Sequence, residues 1–364
     1  MENKTNNFRI GVLDGFRALA ILMVVFFHYF SRWIGLYPYG DKYDFFNYGK
    51  MGVQFFFIIS GFVILYTLER TSDFISFWKK RIIRLFPSML IASLITYLFF
   101  NLFDTDFLYP VSHYFKNVVA SITFLSPDLL SSVFNRIVEF DYISGCYWSL
   151  WPEIQFYFFV SVIYYLNKNK FFEFFFCLTF LLILGNFVIH HIYNSNKFIL
   201  EIKSLLTAFN LIESLPYFCF GVLFYFINKN AILGKYTSVY IKIYLLGLLL
   251  FQVYCNYSVP LRIFFICIFL LLFTVLIYYP RRIHFLENNL FIKIGVSSYF
   301  LYLIHENIGV LIIYKYGGFF KTYVFIFPLV LIIFLIAVSI LYTYTIDKKI
   351  NNYLKKKFFY KGRI

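Results

Sequence analysis

The chain has 364 residues, of which 61% are apolar and 25% aromatic, and its mean hydropathy is +0.73. Soluble domains are about 45–50% apolar, so this surplus excludes a soluble globular fold and places much of the surface in lipid. The net charge of +15 does not indicate nucleic-acid binding, because most lysines and arginines lie in short loops between apolar runs. The five cysteines show no metal-ligand spacing, so no metal site is expected.

Ten apolar segments are long enough, at about 20 residues each, to cross a bilayer. Their apolar runs are continuous, which favours helices over the alternating strands of a membrane barrel. No small-residue cleavage site follows the first segment, so we expect an uncleaved span rather than a signal peptide. The segments are approximately 14–33, 52–69, 83–103, 148–166, 171–191, 210–228, 238–255, 261–279, 295–314 and 323–345.

The distribution of lysine and arginine predicts the orientation of the chain. With the N-terminus inside, the inner loops and tails hold about twice as many of these residues as the outer side, which favours both termini in the cytoplasm. We therefore expect an all-α polytopic protein of the plasma (inner) membrane, with a single transmembrane domain whose core is about 10–346. The basic tail, 347–364, is expected to lie on anionic membrane lipids of the inner leaflet.

One long loop, roughly 104–147, is external in this orientation and carries more acidic than basic residues. Loops of this length are often functional, so the segment is a candidate for covering or selecting a substrate. The alternative is a simple excursion over the surface.

Ionisable side chains within apolar spans are costly to insert and indicate function by default. The first span contains Arg17 and His28, eleven residues apart, which a helix places on one face with a rise of about 16 Å between them. The pair would link the cytoplasmic edge of the membrane to a deep imidazole. Two other interpretations stay open: Arg17 pairs with Asp14 or reaches the interface, and His28 is a hydrogen-bonded packing residue.

The inner loop FWKKRIIRLFP contains a cluster of cations. Arg81 and Arg84 are three residues apart and would share a face of a helix. Guanidinium groups match phosphate oxygens in bidentate geometry, so these arginines, with Lys80, are candidates for binding phosphates at the membrane surface. The alternative is a basic loop that only sets the topology.

The fourth span opens with WSLWPEIQFYF, in which Glu153 follows Ser149 and Pro152. A carboxylate that orients a histidine and stabilises its charged form supports general-base catalysis, so Glu153 is the predicted partner of His28. Alternatively, Glu153 and Pro152 mark only a helix N-terminus, where negative charge and proline are both favoured.

Three further polar residues lie in apolar segments. Ser60, with the glycine that follows it, is expected to permit close helix packing. Tyr302 and His305, in YFLYLIHE, are candidate site residues, and His305 is a candidate to line a cavity. The alternative is that His305 and Glu306 lie in a turn at the membrane interface.

Together these segments resemble the membrane acyltransferase family 3, from Asp14 to about Tyr344. The hallmark of that family is an arginine, ten residues and a histidine in the first span, which Arg17 and His28 match. GVQFFFIISGF, KKRIIRLFP, WSLWPEIQFYF and YFLYLIHE resemble its later motifs in the same order. Gln54 and Ile154 stand where the family often has acidic residues, so no carboxylate role is expected there.

The resemblance implies an O-acyltransferase that uses cytoplasmic acyl-CoA, by default acetyl-CoA, as co-substrate. The phosphates of coenzyme A would contact Arg81, Arg84 and Lys80, together with Arg17. His28 would act on a hydroxyl of a surface glycan or a lipid-linked glycan, as a general base or through a transient acyl-enzyme. Some family members carry a fused extracytoplasmic domain, which is not expected here, so other envelope-biosynthesis proteins are candidate partners.

Two other functions stay open. A transporter or flippase for lipid-linked saccharides would also be polytopic with charged residues inside the membrane, but it predicts inverted repeats and broken helices, which the sequence does not show. A non-catalytic assembly factor of the cell envelope would leave glycan esters unchanged when the predicted site residues are substituted.

Overall fold

The computed structural model describes residues 2–191 and 210–359, together with residues 200, 201, 203 and 206. Within these residues the chain is mostly α-helical, with short 3-10 segments, one π-helical segment (Thr343–Asp347), turns and no β-strand. The α-helices are α1 (Glu2–Phe30), α2 (Met51–Glu69), α3 (Phe74–Phe103), α4 (Phe115–Thr123), α5 (Pro127–Val133), α6 (Leu150–Leu166), α7 (Phe171–His191), α8 (Leu211–Ile232), α9 (Val239–Cys255), α10 (Pro260–Tyr278), α11 (Asn289–Tyr316), α12 (Ile326–Tyr342) and α13 (Lys348–Phe359).

In the described part of the chain, eight helical stretches are long and apolar enough to cross a membrane. The other two predicted spans, 148–166 and 238–255, coincide with α6 and α9, each of 17 residues. Seventeen residues is about the shortest length that crosses the hydrocarbon core. The predicted all-α polytopic fold is therefore confirmed, and the orientation of the termini stays a prediction.

The predicted start of the third span is wrong. We expected a basic loop before residue 83, whereas α3 begins at Phe74 and includes that segment. Lysine, arginine and leucine are good helix formers, and their charges conceal the helix from a reading of hydropathy alone. Asp73 caps the helix, because its Oδ1 accepts a hydrogen bond from the backbone N–H of Ser76 at 2.8 Å.

The chain forms two compact units. The first comprises residues 1–53, 79–148 and 279–364, and therefore contains α1, most of α3, α4, α5 and α11 to α13. The second comprises residues 54–78 and 149–278, with most of α2 and the helices α6 to α10. The prediction of a single transmembrane domain stays a prediction.

In the first unit, α1 and α11 pack side by side in the same direction. Gly295 lies against the backbone of Asp14, and fourteen residues further along α11 Gly309 lies against the side chain of Tyr29. A side chain at either glycine would overlap its neighbour, so the small residues permit this close approach. The parallel alignment places the last turn of α1 beside residues 305–309 of α11.

The long segment after α3 is folded rather than spread over the surface. Asp104 accepts hydrogen bonds from the backbone N–H groups of Leu108 and Tyr109 at 2.9 and 3.0 Å, and the buried Asn117 donates to the carbonyl of Val111 at 2.8 Å. The backbone of Ile143 bonds to the hydroxyls of two buried serines, Ser112 and Ser121. These contacts satisfy the buried backbone, so the segment is folded, and its predicted role in covering or selecting a substrate stays a prediction.

In the second unit, the crossing of α2 and α8 confirms the predicted role of the Ser60-Gly61 pair. Gly61 lies against the backbone of Phe218, and Gly221 lies against that of Ile58. The two glycines let the backbones approach closely, as small residues do in membrane helix pairs.

Candidate active site

The polar centre of the first unit consists of His28 from α1 and His305 and Glu306 from α11. His28 Nδ1 lies 3.3 Å from Glu306 Oε1, within the distance of an ion pair. The rings of His28 and His305 meet edge to face, with centroids 5.0 Å apart and an angle of 74° between their planes. Two imidazoles and a carboxylate are thus in contact inside an apolar helix pair.

Hydrogen bonds fix the backbone that carries these groups. The hydroxyl of Tyr29 donates to the carbonyl of His305 at 2.8 Å, which joins the two helices at the site. After α1 the chain folds back, and the hydroxyls of Tyr37 and Tyr39 donate to the carbonyls of His28 and Tyr29. Because the last carbonyls of a helix lack intrahelical partners, these tyrosines hold the end of α1 that presents His28.

The tautomer of His305 follows from its partner. His305 Nδ1 lies 2.8 Å from the carbonyl oxygen of Tyr302, which can only accept a hydrogen bond, so Nδ1 carries the proton. The lone pair therefore resides on Nε2. This nitrogen is buried and has no hydrogen-bond partner among the described residues.

Two more polar atoms of the cluster share this condition. His28 Nδ1 and Glu306 Oε2 are buried without a hydrogen-bond partner in the described part of the chain. The 3.3 Å contact of His28 Nδ1 with Glu306 is within ion-pair distance but is not aligned as a hydrogen bond. These three atoms have hydrogen-bonding capacity that the described residues leave unused, so the cluster can bind a substrate hydroxyl or water.

The end of the long segment, residues 143–147, packs over Glu306. Gly145 donates its N–H to Asn307 Oδ1 at 3.4 Å, and Asn307 Nδ2 donates to Ser112 Oγ at 3.1 Å and to the Ile143 carbonyl at 3.3 Å. A Cβ at Gly145 would lie 3.0 Å from both carboxylate oxygens of Glu306. Glycine is therefore the residue that lets the backbone approach the carboxylate this closely.

Tyr302 and Cys146 fasten the same segment to α11. The Tyr302 hydroxyl donates to the Cys146 carbonyl at 2.7 Å, and Cys146 Sγ donates to the Tyr302 carbonyl at 3.2 Å. Burial, and then the nearby charge of Glu306, raise the pKa of the Cys146 thiol well above its usual range. The thiol therefore stays protonated and serves as a hydrogen-bond donor rather than as a nucleophile.

Arg17 lies on the same helix as His28, and their eleven-residue spacing places them about 16 Å apart along the helix axis. Its Nη1 donates to Asp14 Oδ1 at 2.6 Å, and both side chains are largely buried. The predicted pairing of Arg17 with Asp14 is confirmed. A role of either residue in binding a substrate stays a prediction.

The predicted phosphate-binding cations of α3 differ in their exposure to solvent. On α3, Lys80 and Arg84 are exposed, whereas Arg81 is buried to 4% exposure. The expectation that Arg81 and Arg84 present one common face to a ligand is therefore not met in the structure. One turn beyond Arg84, Ser88 donates to Asp347 Oδ1 at 2.9 Å, which joins α3 to the C-terminal part of the chain.

In the second unit, Glu153 lies in the first turn of α6 behind Ser149, which is buried at the N-cap position. Ser60 Oγ donates to Glu153 Oε1 at 3.0 Å, and the hydroxyl of Tyr157 donates to the same oxygen. The interpretation of Glu153 as a helix N-terminal residue is confirmed, and its partnership with His28 stays a prediction.

Sequence reasoning missed Glu306 as the carboxylate beside His28. The placement of His305 and Glu306 in an interfacial turn is wrong, because both lie inside α11 and are buried. The signal was present in LIHEN, where three polar residues follow one another inside an apolar run.

This arrangement suits proton transfer. An imidazole beside a carboxylate can accept a proton and keep the resulting positive charge, because the carboxylate stabilises it. The second imidazole offers a fixed lone pair a few ångströms away. Among the described residues, no group of three or more histidines, cysteines or carboxylates could hold a metal ion.

One family and several curated relatives match the chain. The family described as an acyltransferase domain matches residues 10–346. A Bacillus subtilis (strain 168) protein named as a candidate peptidoglycan O-acetyltransferase, YrhL, is 30% identical over 186 residues, which cover 47% of this chain and 27% of that protein. O-acetyltransferase OatA of Staphylococcus aureus (strain NCTC 8325 / PS 47) is 27% identical over 120 residues, which cover 31% of this chain and 17% of that protein.

The chain thus spans less than a third of the length of these curated relatives. No solved structure matches it significantly. The family match covers α1, with His28, and α11, with His305 and Glu306, so the candidate site lies within the matched region. The chain belongs to this acyltransferase family, as its motifs predict, and is a multi-pass membrane protein.

Proposed function

We propose that this protein transfers an acyl group, acetyl by default, from cytoplasmic acyl-CoA to a hydroxyl group of a cell-surface polysaccharide or its lipid-linked precursor. The observation that carries the proposal is the buried contact between His28 and Glu306, with the free Nε2 of His305 beside it. The family match supplies the reaction type, and the cluster supplies a base for it.

His28 is the general base in the proposed reaction. The carboxylate of Glu306, 3.3 Å from His28 Nδ1, favours the tautomer with the proton on Nδ1. The lone pair then lies on Nε2, which takes the proton of the acceptor hydroxyl as the hydroxyl oxygen attacks the thioester carbon. The bond from that carbon to sulfur breaks, and the coenzyme A thiolate leaves and takes the proton back from His28. Such a base contributes about 10²–10⁴-fold to the rate.

Glu306 stabilises the imidazolium that forms during the transfer. Its side chain is only 4% exposed, so the carboxylate acts on His28 with little screening by water. His305 is the proposed acceptor-positioning residue, because its Nε2 is available to accept a hydrogen bond from the incoming hydroxyl.

The donor side of the site is proposed at the other end of α1. Arg17, Lys80 and Arg84 are the candidate contacts for the phosphates of coenzyme A, whereas Arg81 is buried. The pantetheine arm would follow the face of α1 that links Arg17 to His28. Glu153 and Ser60, in the second unit, stay candidate site residues with no assigned step.

The relatives' names suggest the acceptor class. The Bacillus subtilis protein is named for peptidoglycan, so peptidoglycan or a related glycan is the proposed acceptor. Such a reaction belongs at the plasma (inner) membrane and would involve other envelope-biosynthesis proteins and lipid-linked glycans as partners.

The test is acyl transfer in membranes that contain the full-length protein. Labelled acetyl-CoA is added to the cytoplasmic face, and base-labile label on glycan is measured for the wild type and for His28→Ala. We expect transfer that the substitution abolishes. If glycan ester content does not depend on His28 while a labelled saccharide crosses the membrane, the protein is a transporter and the proposal is wrong.

A further inference from the structure

The second unit contains a polar pocket of about 380 Å³ at the ends of α2, α6, α7 and α8. Two lysines line it. Lys229 Nζ pairs with Glu69 Oε1 at 2.7 Å, whereas Lys168 donates to the backbone carbonyl of Ser72 at 3.3 Å and lies over the ring of Tyr165. Among the described residues, no carboxylate pairs with Lys168. The two lysines and one carboxylate therefore leave one net positive charge in the pocket.

A larger groove of about 760 Å³ adjoins this pocket between α7 and α9. Phe172 and Phe226 line both spaces, and their rings meet edge to face at 5.2 Å. The polar residues of the groove, Glu173 and Ser238, lie at the helix ends, beside the polar pocket. Its remaining lining is mostly aromatic and aliphatic.

The groove is slightly shorter than the thickness of the hydrocarbon region of one leaflet. Its lining on α7 runs from Phe172 to Phe180, which is a rise of about 12 Å, against about 15 Å for half of the hydrocarbon core. Because these helices span the membrane, the apolar wall of the groove faces lipid rather than water. A chain from the adjacent leaflet therefore fits it.

We propose that the polar pocket and the groove together bind one glycerophospholipid. Its phosphate lies between Lys168 and Lys229, and one acyl chain lies along the groove past Phe176. The single net positive charge matches a phosphodiester, which carries one negative charge, better than a phosphomonoester such as a polyprenyl phosphate, which carries up to two. Glu69 remains on Lys229 and disfavours the second negative charge.

The test is lipid binding to the purified full-length protein in detergent, measured by native mass spectrometry. The probes are phosphatidylglycerol and a diacylglycerol with the same chains but no phosphate. We expect phosphatidylglycerol to bind at least tenfold more tightly. Lys168→Ala and Lys229→Ala should each weaken its binding about fivefold, the effect of one lysine near a lipid phosphate, without changing the binding of diacylglycerol.

Lys242→Ala is the matched control, because Lys242 is exposed in the first turns of α9 and lines neither space. Equal binding of the two lipids, or an equal loss with Lys242→Ala, would overturn the phosphate site. Tighter binding of a polyprenyl phosphate than of phosphatidylglycerol would overturn the phosphodiester assignment. If Lys229→Ala unfolds because Glu69 loses its partner, binding to Lys168→Ala alone decides the question. The side chain of Lys168 is exposed and pairs with no carboxylate in the described residues, so its removal should leave the fold intact.

Discussion

Replacing Glu306 with glutamine should slow acyl transfer strongly while leaving the protein folded. The substitution keeps the shape of the side chain and removes its charge 3.3 Å from His28 Nδ1. At an effective dielectric constant of about 20, two unit charges at that distance interact by about 5 kcal/mol. A charged hydrogen bond contributes about 1.5–3 kcal/mol net, so the loss of transition-state stabilisation should lie between these values.

Energies of about 1.5–5 kcal/mol correspond to a fall in kcat of about 10- to 4,000-fold, at about 1.4 kcal/mol for each factor of ten. The KM for acyl-CoA should change little, because Glu306 acts on the imidazolium that forms during the transfer rather than on the bound donor. The assay is transfer of labelled acetyl to a glycan acceptor by purified protein, with both constants determined.

Glu213→Gln is the control, since Glu213 is an exposed carboxylate in the first turn of α8 and undergoes the same chemical change. The thermal midpoint of Glu306→Gln should match that of the wild type, because a neutral amide is easier to bury than a carboxylate. If Glu306→Gln retains more than half of the wild-type kcat, the reasoning about the His28–Glu306 pair is refuted.

Three other substitutions test how the site is built. Gly145→Ala places a methyl group 3.0 Å from both carboxylate oxygens of Glu306, so kcat should fall at least tenfold. An unchanged kcat would show that catalysis does not require the carboxylate in this position. The methyl group of Gly309→Ala overlaps the side chain of Tyr29 and should destabilise the packing of α1 on α11 by about 1–3 kcal/mol. The thermal midpoint should therefore fall, and adding Tyr29→Phe should restore part of it. Asn307→Ala removes hydrogen bonds to the long segment and should speed proteolysis within 104–147, whereas an unchanged cleavage rate would contradict its fastening role.

The fold was accessible from the sequence because the bilayer imposes a simple length rule. Each predicted span coincides with a helix, since some twenty consecutive apolar residues have few other stable arrangements in lipid. The boundary of α3 was missed because hydropathy detects lipid-facing residues and not helices. The turns that carry Lys80, Arg81 and Arg84 are helical although they are charged.

The candidate site was accessible only in part. His28 could be predicted because an ionisable residue in an apolar span requires a partner, and the spacing to Arg17 resembles a known family. Its partner Glu306 could not be predicted, because the contact between the two side chains depends on how α1 packs on α11. Tyr29 and His305, which hydrogen-bond at this place, are 276 residues apart in the chain. No local pattern encodes that register, and the same applies to Gly145, which reaches Glu306 from the long segment.

The central claim is that His28 removes the proton of the acceptor hydroxyl while acyl-CoA is bound. The most direct measurement is a single-turnover experiment with purified wild-type protein and His28→Ala, in which acyl-CoA affinity and the rate of acyl transfer are determined separately. We predict an affinity within about twofold of the wild type and a transfer rate at least 100-fold lower. An unchanged transfer rate, or a loss confined to acyl-CoA affinity, would contradict the claim.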